Sequence, residues 1–167
     1  MKVKKLCVII AVVLFFAQIF CAGCGYTKTE DKPLRLHVRA DSNMPQAQAV
    51  KREVAAAIDG YLAAELKRVR GYEQLLDAVN ARLGAIKEIA AAVLRSRGFG
   101  YGASAILVRE RFAERDYGGT VVPAGEYDAL IVRLGSGGGD NWWGMIYPRD
   151  GEGVRYKSFI AELFGYK

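Results

Sequence analysis

Apolar residues in this chain change their spacing twice, and that change constrains the fold class before any motif is considered. Leu34, Leu36 and Val38 alternate with Arg35 and His37, the period of a half-buried strand. Val50, Val54, Ile58, Leu62 and Leu66 then recur four apart, with Ala57 and Tyr61 widening the stripe. Beyond Gly71, Leu75, Leu76, Val79, Leu83, Ile86, Ala90, Val93 and Leu94 repeat the pattern as far as Gly98. From Tyr101 the pattern turns extended, with glycine and proline as punctuation. It predicts a strand at 101–112, turns at 116–119 and 122–125, and a strand at 127–134. A flexible glycine-rich hairpin loop at 135–140, a short strand at 142–147 and a last strand or strand-helix piece at 154–164 follow. Strand, helix, helix, then strands predicts a single α+β domain. Its sheet is mainly antiparallel, and two amphipathic helices, the second running from about 72 to 97, pack on one face.

Residues 1–24 stand apart from this domain, and 25–33 form a short polar tether. Lys2, Lys4 and Lys5 precede an apolar run at 6–23, the pattern of an export signal or membrane anchor. Eighteen residues span about 27 Å as a helix, slightly short of a hydrocarbon core of about 30 Å. The run ends in Cys21-Ala22-Gly23-Cys24, small residues before a cysteine in the manner of a bacterial lipoprotein signal, which makes Cys24 a candidate lipid attachment point. Ordinary cleavage and an uncleaved anchor are the alternatives. In all three cases the positive N-terminus stays inside and the domain lies outside the cytoplasm.

Charge and cysteine content narrow the function classes. The formal charge is +6 from 24 basic and 18 acidic residues, but three of the basic ones lie before residue 24, leaving the domain +3. Acids and bases alternate in it rather than forming the basic stripe of a nucleic-acid binder. All three cysteines, Cys7, Cys21 and Cys24, lie in the first 24 residues, so no internal disulfide, thiolate metal site or cysteine nucleophile is expected in the domain.

The chemistry-bearing residues form no catalytic set. His37 is the only histidine, and Asp41 and Ser42 close behind it suit helix capping better than a triad, which needs convergence in space and an oxyanion hole. Asp41, Ser42 and Asn43 are all N-cap types, with Pro45 fitting the first turn. His37 reads as a hydrogen-bonding residue at a strand edge. The 135–139 run has glycine but no Gly-Lys-Ser/Thr, and no helix start follows it to receive a phosphate. Asn141-Trp142-Trp143 is the most unusual local feature: neighbours on a strand face opposite ways, so one indole can enter the core while the other anchors a partner. No cofactor and no metal are expected.

The segments 34–42 with Pro45, Tyr117-Gly118, 123–130, and Gly135-Ser136-Gly137 leading to Asn141-Trp142-Trp143 and Pro148 together resemble the stage II sporulation protein R family. The resemblance covers about 34–148. It implies a protein exported from the forespore into the space between forespore and mother cell. There it activates a membrane-embedded aspartic protease that cleaves the sigma-E precursor, acting as a ligand and not as an enzyme. Candidate partner contacts are His37, Arg39, Asp41, Ser42, Asn141, Trp142 and Trp143, with membrane attachment through the N-terminal segment or a lipid. An exported cell-envelope hydrolase, or a lipoprotein scaffold without signalling activity, are the rival expectations. Many relatives follow Asn-Trp-Trp with cysteine and have a second cysteine nearby, whereas Gly144 and 148–151 stand here.

Overall fold

The alternating segment forms β1 (Leu34–Arg39), which lies in the middle of the sheet: Leu34, Leu36 and Val38 are buried on one face, Arg35 and His37 on the other. A computed structural model describes residues 33–117, 120–149 and 153–158. After β1 come α1 (Pro45–Glu65), α2 (Tyr72–Asn80) and α3 (Leu83–Ser96). Then follow β2 (Ala103–Phe112), β3 (Arg115–Tyr117), β4 (Thr120–Val122), β5 (Gly125–Leu134), β6 (Asn141–Arg149) and β7 (Gly153–Ser158). Five strands form one sheet in the order β2, β5, β1, β6, β7, in which only β1 and β5 run parallel. The fold is α+β with a mostly antiparallel sheet. The N-terminal segment with Cys24, and the tether as far as 32, lie outside the described residues.

The helices cover one face. Val54, Ile58, Leu62, Leu75, Val79, Ile86 and Leu94 meet Leu36 and Val38 of β1, Leu130 and Val132 of β5, and Trp142 and Ile146 of β6 in one core. Each large apolar side chain buried there contributes about 1.5–3 kcal/mol, so the apolar stripes are what hold the helices to the sheet.

Three expectations need correction. The stretch from 72 to 97 is two helices, giving three in all among the described residues. The backbone N–H of Arg82 bonds the carbonyl of Val79, three residues back, and the Arg82 guanidinium donates to the Ala78 carbonyl that a continuing helix would have used. The apolar stripe runs almost unbroken across this tightened turn, so spacing alone could not reveal it. Second, α1 starts at Met44 and Pro45 without a side-chain cap; Asp41 and Asn43 are engaged elsewhere, as described below. Third, the 135–140 loop is not a hairpin. Since β1 lies between β5 and β6, the loop crosses over the carboxyl end of β1.

The other face is covered by the sheet's own ribbon. Ile106 is in line with His37 through Ile131, and Phe112 lies six positions further along β2. On a flat strand that is about 20 Å, yet the Phe112 and His37 rings are 4.8 Å apart. Beyond its pairing with β1, the β2–β5 ribbon therefore coils back over the sheet, as two-stranded ribbons readily do. Phe112, Val122, Tyr127, Ala129, Ile131 and Met145 form a second, smaller core there.

Candidate functional site

The carboxyl end of β1 is tied to the glycine-rich crossover by a dense set of hydrogen bonds. Asp41 Oδ1 accepts from the Ser136 backbone N–H at 2.8 Å, and the Ser136 hydroxyl donates to the Asp41 carbonyl at 2.8 Å. Asn43 Oδ1 accepts from the Asp140 N–H at 2.7 Å, and the Gly139 N–H donates to the Ala40 carbonyl. Lys51 of α1, almost fully buried, donates to the Asp140 carbonyl and to Gln48 Oε1, and Gln48 in turn donates to the Ser42 carbonyl. Burial lowers the Lys51 pKa, partly offset by the nearby Asp140 carboxylate. The glycines are required by this closeness: a Cβ at Gly135 would run into Asp41 Oδ1, and one at Gly139 into the Ser42 carbonyl.

Alternation along β1 puts Arg35, His37 and Arg39 on the face opposite the helices. His37 is fully buried in the central strand, not at an edge, and its ring meets the edges of Trp143 at 3.9 Å and Phe112 at 4.8 Å between centroids. Neither ring nitrogen has a hydrogen-bond partner among the described residues. Desolvation, then the positive charges of Arg39, Arg35 and Arg115, lower its pKa to about 3, so the imidazole stays neutral. A general base or acid needs a pKa near the working pH, and His37 has moved far from it. The Arg35 guanidinium stacks over Tyr127 at 4.3 Å and Phe112 at 4.8 Å, and Arg115 over Trp143 at 4.0 Å. Such contacts are worth about 0.5–2 kcal/mol each, more when desolvated.

The residues singled out from sequence divide accordingly. Asp41 and Ser42, half-buried, sit at the clamp; Arg39 and Asn141 are register neighbours beside it; and His37 pairs with Trp143 across β1 and β6. Trp142 lies on the helix side, in the main core, so it presents no surface at this end. A Cβ at Gly144 would come within 2.8 Å of its indole, which is why glycine stands at that position. Arg35, Arg115, Arg133, Ser136 and Lys51 were not anticipated. The alternation of β1 could have supplied Arg35, but the reach of Arg115 onto Trp143 depends on the coiled ribbon and leaves no local trace. Arg115, Gly139, Asp140, Asn141 and Trp143 line an open groove of about 470 Å³. Among the described residues no group of three His, Cys, Asp or Glu side chains is placed to hold a metal ion.

Fold and site together define a small α+β domain in which segments far apart in sequence are tied into one rigid sheet end with a groove beside it. The family model for stage II sporulation protein R matches residues 30–149, and this chain belongs to that family. A curated relative, stage II sporulation protein R of Bacillus subtilis (strain 168), is 31% identical over 118 residues, covering 71% of this chain and 53% of that protein. The chain thus spans about half the length of that relative. No solved structure matches it.

Proposed function

We propose that the domain is an exported sporulation signal: it is delivered to the space between forespore and mother cell and there activates a membrane-embedded aspartic protease that processes the sigma-E precursor. Membership of a sporulation family supports the setting. The observation that carries the role is that the clamp joins Asp41 and Ser42 to the crossover leading into Asn141 and Trp143, so the signature residues form one rigid edge. Arg39, Asp41, Ser42, Asn141 and Trp143 meet the receptor, and His37 and Trp142 hold that edge from beneath. A ligand shifts its receptor's equilibrium only by binding the active form more tightly, by about 10⁴-fold for a nearly complete switch. A rigid edge suits this because little ordering is lost on binding.

Co-expression of the full chain with the protease and the sigma precursor in a non-sporulating host tests the proposal. Processing should require the chain, and Trp143→Ala should reduce it about tenfold or more, as expected for a central aromatic contact, while the circular dichroism spectrum is kept. Processing that is the same with and without the chain would contradict it.

A further inference from the structure

We infer that the edge beside the clamp is a docking site for an acidic, extended peptide segment of a partner protein; the inference rests on the proposal that this edge is the contact surface and names the chemistry it reads. Arg39 and Arg133 lie directly opposite each other on neighbouring parallel strands, flanked in the same row by Ser104 and Asn141. Like charges in that position repel, and no acid stands between them in the row.

Neither guanidinium is satisfied within the fold. Arg39 Nη2 is 3.7 Å from Glu110 Oε2, an ion pair longer than a hydrogen bond that leaves the terminal Nη donors open, while its Nε is buried out of a ligand's reach. Arg133 has no ion pair or hydrogen bond among the described residues, and its stem packs where a Cβ at Gly137 would approach to 3.3 Å. Arg115, over the Trp143 ring beside the groove, likewise has no carboxylate partner among the described residues. Planar guanidinium groups with open donors are built to take carboxylates two-pronged.

The row crosses four strands, about 14 Å, the length of roughly four residues of extended chain. That length suits an extended segment with two carboxylates on Arg39 and Arg133 and polar groups against Ser104 and Asn141 better than a single small anion. A bilayer of anionic lipids is a poorer fit. The groove is concave, and the Arg39 side chain is only 26% exposed; a flat membrane would be met by long, exposed basic side chains on a convex surface.

The test uses the full chain in non-ionic detergent, with fluorescein-labelled hexaglutamate as the probe and anisotropy as the readout. Hexaglutamate should bind, and Arg39→Gln and Arg133→Gln should each weaken it about tenfold. Arg68→Gln, at an exposed site just beyond α1, should change nothing. Should Arg39→Gln fail to fold, Glu110→Gln serves instead: freeing Arg39 from the carboxylate it faces should tighten binding about two- to fivefold. No binding, binding indifferent to Arg39 and Arg133, or displacement by dioctanoyl phosphatidylglycerol at equal charge would overturn the inference, the last in favour of a membrane. Precursor processing in the same variants separates the two proposals. Reduced processing with undiminished hexaglutamate binding removes the peptide site but keeps the signalling role. Arginine-dependent binding with unchanged processing supports the site and counts against signalling through it.

Discussion

Asp41 bonds a loop 95 residues away instead of the helix four residues ahead of it. That Asp41 would bond backbone N–H groups was legible in the sequence; that it would serve a distant loop and not cap the helix was not, because a short side chain at a strand end can serve any backbone N–H brought near, and which one arrives is decided by topology. Asp41→Ala should cost about 1–2 kcal/mol, the worth of a hydrogen bond to a charged acceptor whose exposed donor can turn to water when it is lost. Ser42→Ala, whose hydroxyl joins no hydrogen bond among the described residues, should stay within about 0.5 kcal/mol. Urea unfolding of the two variants distinguishes these outcomes, and equal losses would restore the helix-capping role. His37 makes a second residue-scale prediction. Its pKa is about 3 in the fold against 6.5 for a free side chain. The unfolded chain therefore takes up a proton first as the pH falls, and stability is lost on acidification through that window. Relative to His37→Gln, the parent should lose up to about 1.4 kcal/mol per pH unit below 6.5. Asp59, pushed up to about 6 by burial, acts in the opposite sense, so the difference between parent and variant is the quantity to measure. A difference that does not change between pH 6.5 and 5 would mean the imidazole is not desolvated in the fold.

At the scale of elements, spacing made the helices and strands legible because burial repeats with the backbone's own period. It could not show where a helix tightens by one hydrogen bond, as at Arg82, nor which strands become neighbours. The crossover between β5 and β6 illustrates this. Glycine content alone suits a free hairpin, yet three of these glycines have structural reasons: Gly135 and Gly137 take positive φ (56° and 67°), and Gly139 lies against Ser42. Gly139→Ala should therefore destabilise the domain by about 2 kcal/mol or more, since the clash is with backbone that cannot move without opening the clamp. Gly60→Ala, in the interior of α1 with open space around it, should stabilise by about 0.5–1 kcal/mol. Thermal unfolding of the pair checks both, and equal behaviour would mean the crossover is not held as described.

At the scale of the whole domain, the described residues form a sheet with a core on each face, one provided by helices and one by its own coiled ribbon. The first was legible because amphipathic helices demand an apolar platform. The second was not, because Phe112, Trp143 and Arg115 come together only through the coiling of β2 and β5 over His37. That second core fixes which side of the domain stays open: the helices bury their apolar faces internally, while the edge beside the clamp keeps guanidinium donors and a groove. A photo-crosslinking side chain placed at Ser104, the exposed start of the arginine row, or at Ala92, exposed on α3, tests this most directly in sporulating cells. The membrane protease should be captured from position 104 and not from position 92; capture from the helix layer alone would contradict the assignment of the working surface.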